Sequence, residues 1–156
     1  MGGNVIGIIV NIKTYSVKGD PGKELTEARL IENAGLEGDF HAIGGERQIS
    51  LLFAESSRPV RETNEKGLCT SRFKENITMR REAPCDSVAP GVRFVVGDAL
   101  LEVSGETKHC HEECALFRAG KRCSLAGLNL FAKVLKGGVI RVGDEVTTVM
   151  QGRYQL

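Results

Sequence analysis

The chain has 156 residues, of which 41% are hydrophobic and 26% charged, and its formal net charge is +1. These values are typical of one soluble globular domain with a core of its own, so we expect residues 1–156 to form a single domain. The balanced charge argues against binding to a nucleic-acid backbone, no apolar run is long enough for a membrane helix, and the N-terminus lacks the features of a signal peptide; we therefore predict a cytoplasmic protein with reduced thiols.

Glycine is in excess, at about 12% of the chain against an average of about 7%, which indicates many tight turns between short strands. Residues 5–12 are a β-rich apolar run and form the first predicted strand, and residues 13–23 follow as a loop. Between residues 24 and 33 the apolar spacing hints at a helical stripe. Glycines crowd residues 35–45, where we expect positive φ angles and a close approach of the backbone to another group.

The middle of the chain contains the strongest helix signal. Residues 47–53 form the next predicted strand, which leads into a predicted helix over residues 57–66 with Ser57 as its N-cap. A short strand is predicted over residues 73–79, and residues 80–91, with two prolines, form a loop.

The last third contains a small internal repeat. Val96-Gly97-Asp98 and Val142-Gly143-Asp144 each form a predicted turn before strand-like residues, and two further strands, 131–135 and 139–142, are joined through a glycine turn. Because strands come from both ends of the chain and helices are few, the sequence predicts a mainly β fold, a closed or half-closed barrel with a few short peripheral helices.

Three of the five cysteines and two of the three histidines lie within the sixteen residues from Lys108 to Cys123. A group of this kind is where soft-metal or thiol chemistry is found. Three interpretations are open: a structural zinc site, a reactive thiolate, and small buried hydrophobic residues. Cys69 and Cys85 each lie alone in a polar loop, and we interpret them as structural or incidental.

For zinc, the chain offers the four ligands of a Cys₃His site, namely Cys110, His111, Cys114 and Cys123. The usual Cys-x₂-Cys pair is missing, and so is a second paired knuckle. The zinc interpretation is therefore the alternative and the thiolate interpretation the main one.

An ordered set of motifs runs from about residue 5 to residue 149. It comprises Gly35-Leu36-Glu37-Gly38-Asp39-Phe40-His41, Arg47-Gln48-Ile49, Phe73 with Glu75-Asn76, Val96-Gly97-Asp98, a cysteine about ten residues beyond Val103, Phe131 to Gly138, and the closing Val142-Gly143-Asp144. With this set the chain resembles the MOSC domains, which are named for the C-terminal domain of molybdenum cofactor sulfurases.

The resemblance implies a β-barrel with a few peripheral helices and one functional cysteine, which matches Cys114. In that family the cysteine has been proposed to carry sulfur as a persulfide. In some branches the domain binds the molybdenum cofactor, and in some members the cysteine ligates molybdenum. Many members have proline or arginine just before the cysteine, whereas this chain has Glu112-Glu113, which leaves the branch open.

The implied activity is that of a molybdenum-cofactor sulfurtransferase or sulfur carrier, or of a component of a molybdenum-dependent reductase. The implied partners are a cysteine desulfurase or molybdenum-cofactor enzymes. Pyridoxal phosphate would belong only to the partner desulfurase, because this chain shows no resemblance to the large fold that binds it.

The predicted cofactor-binding residues are Asp39, His41, Arg47 and Lys108. Arg47 closes the glycine-rich loop, and its guanidinium suits a bidentate pair with a pterin phosphate; the alternative is a surface charge at the start of a strand. For His41 the alternative is a hydrogen-bonded structural residue. Lys108 and the neighbouring histidines would favour the Cys114 thiolate if they lie near it, and the two glutamates would oppose it if they turn inward.

Overall fold

In a computed structural model, the described residues are 3–54, 75–82, 89–105, 118–120 and 129–149. Eleven strands lie within these ranges. They are β1 (Val5–Thr14), β2 (Lys23–Leu25), β3 (Glu27–Ile31), β4 (Gly35–Leu36), β5 (Ile49–Phe53), β6 (Ile77–Arg81), β7 (Arg93–Val96), β8 (Ala99–Val103), β9 (Asn129–Lys136), β10 (Gly138–Arg141) and β11 (Glu145–Thr148). The predicted mainly β barrel is confirmed.

Seven strands close into a barrel in the order β1, β11, β7, β8, β9, β5, β6 and back to β1. Every neighbouring pair is antiparallel except β5 and β6, which are parallel and are joined by the long connection that a parallel pair needs. The barrel closes where Val5 of β1 pairs with Thr147 of β11. Closure leaves these seven strands without free edges, while β2 extends the sheet by pairing with β1.

A second sheet of three strands, in the order β10, β3, β4, shares the barrel's core. Its buried residues Leu30, Leu36 and Ile140 belong to the same apolar cluster as the inward residues of the barrel. Along β8, Leu101 and Val103 belong to this cluster; because side chains alternate along a strand, the intervening residue Glu102 faces the outer wall. The outer wall of the barrel is therefore available for polar contacts.

Most predicted strands are confirmed, with shifted ends. The predicted strands 5–12, 47–53, 131–135 and 139–142 correspond to β1, β5, β9 and β10, and both Val-Gly-Asp turns precede a strand, β8 and β11. The predicted strand 73–79 corresponds to β6, which starts later and reaches Arg81, inside the predicted loop 80–91.

The helical stripe predicted for residues 24–33 is wrong. This segment forms β2 and β3, and β3 is hydrogen-bonded to β10 on one side and β4 on the other. Burial alternates along β3, where Leu30 is buried and its neighbours Arg29 and Ile31 are exposed. Pairing with distant strands has overridden a weak local pattern.

The remaining fold predictions fall partly outside the described ranges. The predicted helix 57–66 lies outside them, and a single domain over residues 1–156 stays a prediction. In the part of the chain that the structure describes, no helix has the length and apolar character needed to cross a membrane.

The two Val-Gly-Asp sequences meet in space. Gly97 has a φ of +54°, and a Cβ there would lie 2.9 Å from Asp144 Oδ2 and against the carbonyl oxygen of Val139. The backbone N–H of Asp98 donates to that same carbonyl at 3.2 Å. Gly97 is thus required both for its backbone conformation and for the close approach of β10.

We expect Gly97→Ala to destabilise the protein more than a glycine substitution in open space. Gly120 has a similar φ of +69°, but a Cβ added there would have no atom within 4 Å, so Gly120→Ala is the matched control for conformational strain. In urea unfolding, the free energy of unfolding of Gly97→Ala should be about 1–3 kcal/mol lower than that of Gly120→Ala, because this is the usual cost of overpacking. Equal losses would contradict the role given to close packing.

Candidate functional site

Residues 37–48, here called the site loop, are held by the buried carboxylate of Asp39. Its side chain is 1% exposed. Oδ2 accepts hydrogen bonds from the backbone N–H of Tyr15 and from Asn76 Nδ2, both at 2.9 Å. Oδ1 accepts from the backbone N–H of His41 at 2.9 Å and is 2.8 Å from His41 Nδ1. Four donors therefore satisfy a carboxylate that would otherwise be too costly to bury.

Asn76 connects this carboxylate to the barrel. Its Nδ2 also donates to the carbonyl of Lys13 at 3.2 Å, and its Oδ1 accepts from the backbone N–H of Ser50 at 3.1 Å. Tyr15 supports the same region, because its hydroxyl donates to the carbonyl of Glu75 at 3.1 Å. The ends of β1, β5 and β6 are thus tied to Asp39 through buried polar groups.

His41 is oriented by the same carboxylate. An ionised carboxylate can only accept, so Nδ1 carries the proton in this contact, and when the ring is neutral its lone pair lies on Nε2. The side chain is 40% exposed, and its ring lies 3.8 Å from that of Phe40. His41 therefore presents an oriented proton acceptor or ligand atom at the surface of the loop.

The pKa of Asp39 lies below its ordinary value. Burial by itself raises this pKa, but the hydrogen bond from the His41 side chain and those from the backbone N–H groups of His41 and Tyr15, together with the charge of His41, outweigh burial. Asp39 is accordingly ionised at neutral pH, which is the state that orients His41.

The second half of the site loop is fixed by Gln48. This side chain is buried, its Nε2 donates to the carbonyl of Gly45 at 2.9 Å, and its Oε1 accepts from the backbone N–H of Val134 at 2.9 Å. Arg47, next to it, lies over the ring of Phe131, with its guanidinium carbon 4.9 Å from the ring centroid. This is the geometry of a cation–π contact.

Glu46 joins the loop to the outer wall of the barrel. The hydroxyl of Ser104 donates to Glu46 Oε2 at 2.8 Å, and Lys133 Nζ is 3.7 Å from Glu46 Oε1. Lys133 also lies 3.6 Å from Glu102 Oε1, and Arg93 Nε is 2.9 Å from Glu102 Oε2. A line of alternating charges thus runs from the loop across β9 and β8 to β7.

Of the predicted site residues, Asp39 and His41 are in direct contact, and Arg47 lies on the same loop with its guanidinium over Phe131. Lys108 and the candidate thiol and zinc residues lie outside the described ranges, namely Cys110, His111, Cys114 and Cys123. Within the described ranges no group of three or more metal-ligating side chains occurs.

Chain connectivity nevertheless relates the loop to the cysteine-bearing segment. The segment 106–128 leaves the end of β8 and returns at the start of β9, where the Ser104 N–H donates to the Phe131 carbonyl at 2.8 Å. Glu46 contacts Ser104 and Arg47 contacts Phe131. The site loop therefore contacts one residue before and one residue after the segment 106–128, which contains Cys114.

Several residues that build the site are not singled out by sequence reasoning. Tyr15 and Glu46 receive no role from it, and Gln48, Asn76 and Phe131 enter only as parts of motifs. Glu75 and Asn76, just before a strand, are both buried in the structure. Buried polar groups need hydrogen-bond partners, so a polar pair at this position is a signal in the sequence for a buried hydrogen-bond network.

Comparison with known proteins gives one family and several similar folds. The model of the MOSC domain family matches residues 37–147. The YuaD protein from Bacillus subtilis has a similar structure, with a TM-score of 0.65, 16% identity, and coverage of 94% of this chain and 97% of that one. YiiM from Escherichia coli has a TM-score of 0.58 and 20% identity over 92% of this chain and 70% of that one. YiiM from Geobacillus stearothermophilus has a TM-score of 0.58 and 20% identity over 97% of this chain and 77% of that one.

At these identities the similar structures establish the fold alone. No curated protein matches the sequence.

We expect Asp39→Asn to destabilise the protein in a pH-dependent way. Because the folded pKa of Asp39 is lowered, its stabilisation is fully present above the ordinary pKa of 3.8 and is lost as the pH falls through the folded value. At pH 7 the variant should lose about 1.5–3 kcal/mol, the range for a hydrogen bond to a charged group. The difference from the parent should shrink below about pH 4.

Asp20→Asn is the matched control for this measurement. Asp20 also accepts several hydrogen bonds, from the backbone and hydroxyl of Ser16 and from Gly22, but in an exposed turn. Asp20→Asn should lower the free energy of unfolding by less than Asp39→Asn does, since solvent competes for the hydrogen-bond donors of an exposed turn. A pH-independent loss in Asp39→Asn would contradict the role of the ionised carboxylate.

Proposed function

This chain belongs to the MOSC domain family, and from that premise we propose that it binds the molybdenum cofactor and carries sulfur as a persulfide on Cys114. As a family, MOSC domains are sulfur-binding modules related to the molybdenum cofactor and linked to molybdenum-cofactor enzymes. For this chain in particular, we propose Cys114 as the functional cysteine, a persulfide as the form in which it carries sulfur, and the molybdenum cofactor as the bound ligand. We also propose a cytoplasmic location, with a cysteine desulfurase or molybdenum-cofactor enzymes as partners.

The observation that carries the proposal is where the site loop contacts the barrel. Arg47 contacts Phe131 and Glu46 contacts Ser104, and these two partners flank the segment that contains Cys114. His41, on the same loop, has an oriented and partly exposed Nε2. An arginine and an imidazole on the site loop and the two residues that flank the cysteine-bearing segment therefore belong to connected parts of the structure.

The donor set of the loop fits an anionic cofactor. Gly44 and Gly45 both have a φ of +83°, and the space beside Gly45 is open to 4 Å, so a ligand can approach this backbone closely. The guanidinium of Arg47 suits a phosphate, which it can bind through two N–H groups. When bound, the molybdenum cofactor supplies a phosphate-bearing pterin and a metal centre that accepts sulfur ligands. Lys108 would add a second cation on the segment that contains Cys114.

The proposed sulfur step needs a thiolate and a proton acceptor. His41 Nε2 takes the proton of the Cys114 thiol, while Asp39 holds the ring by Nδ1. The thiolate attacks the outer sulfur of a persulfide on the partner desulfurase. The donor's S–S bond breaks, a new S–S bond forms at Cys114, and the donor cysteine leaves as a thiolate. The sulfur is transferred without a change in overall oxidation state.

We expect Cys114→Ser to abolish sulfur loading. Parent protein incubated with a cysteine desulfurase and free cysteine should acquire cyanide-labile sulfur, detected as thiocyanate and by the mass of the adduct. The variant should acquire none, since a hydroxyl at this position cannot form a persulfide. His41→Ala should load more slowly at neutral pH and recover at higher pH, where thiols ionise without a base.

Cys69→Ser and Cys85→Ser are the matched controls, because we interpret these two cysteines as structural. Unchanged loading in Cys114→Ser would remove Cys114 from the proposal. Stoichiometric zinc in the purified protein, together with unfolding on chelation, would instead favour the zinc alternative of Cys110, His111, Cys114 and Cys123, because a structural zinc contributes directly to folding.

We expect Arg47→Ala to weaken binding of the molybdenum cofactor by about 1.5–3 kcal/mol, the range for hydrogen bonds to a charged group. Arg47→Lys should recover part of this loss, because an ammonium keeps the charge but loses the planar fork. The measurement is a titration of each purified variant with the isolated cofactor.

Arg141→Ala controls for a change of net charge, since Arg141 is ion-paired with Glu27 on β3. It should bind as the parent does. If Arg47→Ala binds the cofactor as tightly as the parent, the site loop does not form the anion site.

A further inference from the structure

We propose that Glu46 is a positioning residue, which holds the Arg47 guanidinium on the Phe131 ring in the orientation needed for an anionic ligand. This inference rests on the proposed function of Arg47. It assigns a role to a residue that neither the motifs nor the family comparison singled out.

The contacts of Glu46 are suited to fixing the backbone next to Arg47. Ser104 is 2% exposed, and its hydroxyl donates to Glu46 Oε2 at 2.8 Å. Lys133 Nζ, at 3.7 Å from the other carboxylate oxygen, adds an ion pair. Both partners belong to the outer wall of the barrel, so the Glu46 side chain binds the loop to a rigid element.

The flanking residues explain why such a contact is needed. Gly44 and Gly45, with φ of +83°, are conformationally permissive and do not by themselves define the path of the chain. Gln48 fixes the far side of Arg47 through Gly45 and Val134. Glu46 supplies a side-chain anchor on the near side, and the Arg47 guanidinium between the two anchors lies over Phe131.

An arginine side chain is long and has many rotamers, so a backbone that is fixed on both sides narrows the directions it can take. An arginine that is already oriented loses less conformational freedom when it binds its ligand. The expected contribution of Glu46 is therefore to affinity, through preorganisation of Arg47, and it should vanish when Arg47 is absent.

The opposite role is also chemically defined. The Glu46 carboxylate could occupy the place of an anionic ligand between Ser104 and Lys133, in which case its removal would strengthen binding. The geometry favours positioning, because Lys133 is already compensated by Glu102 at 3.6 Å, and because removal of Glu46 would deprive the buried Ser104 hydroxyl of this acceptor. The two roles predict changes of opposite sign.

The first arm of the test uses the free protein. Protons of Arg47 that lie over the Phe131 ring should be shifted upfield in the NMR spectrum by the ring current. In Glu46→Ala this shift should be lost, and in Glu46→Gln it should be largely retained, because an amide oxygen can still accept from Ser104. Glu37→Gln, an exposed glutamate of the same loop, is the matched control and should leave the shift unchanged.

The second arm is a double-mutant cycle with the isolated molybdenum cofactor. Glu46→Ala should weaken binding about threefold to tenfold in the parent, the range set by immobilising one long side chain, and should have no effect in the Arg47→Ala background. Equal losses in both backgrounds, or tighter binding by Glu46→Gln, would overturn the proposal.

The two arms separate this inference from the proposed function. If the parent fails to bind the cofactor, the proposed function fails, and the ring-current shift alone decides whether Glu46 positions Arg47. If the parent binds and the shift is unchanged in Glu46→Ala, the proposed function stands and the positioning role is wrong.

Discussion

The site depends on one buried negative charge. The Asp39 carboxylate is almost fully removed from water, and such a group is tolerated because four donors from three separate parts of the chain converge on it. The requirement is reciprocal. The donors of Tyr15, Asn76 and His41 would lose their acceptor without the carboxylate, so the loop and the barrel ends are fixed together rather than separately.

The barrel supplies the rigidity that this arrangement needs. Its inward face is filled by one apolar cluster, shared with the small second sheet, so the outer wall is free to present polar groups at fixed positions. The site loop is attached to the barrel at two places, at the strand ends near Asn76 and at the outer wall near Ser104. A loop rich in glycine is thereby held in one conformation by its neighbours, not by its own residues.

Local sequence patterns predicted much of the fold and the position of the loop. Apolar runs and Gly-Asp turns indicate strands because burial and turn geometry are decided over a few residues, as at β1 and at Gly97. The second sheet was not predictable in the same way. Residues 24–33 form strands because β10, more than a hundred positions away, pairs with β3.

In the site as well, some features follow from local sequence and others from contacts between residues far apart in the chain. Asp39, His41 and Arg47 could be selected from a glycine-rich stretch that combines a carboxylate, an imidazole and a guanidinium. Their supports could not, because Tyr15 lies 24 positions from Asp39 and Ser104 lies 58 positions from Glu46. Pairings over such separations are set by barrel topology, which a single sequence does not display.

The closure of the barrel has a consequence for how the protein is made. β1 and β11 are neighbours, and Asn4 is bonded to Thr148 across 144 positions of chain. During synthesis the first strand is translated long before its partner, so the barrel can close only after β11 has emerged from the ribosome. Until then the edge of β1 that pairs with β11 has no partner strand, and the high contact order of this pairing makes the final step slow.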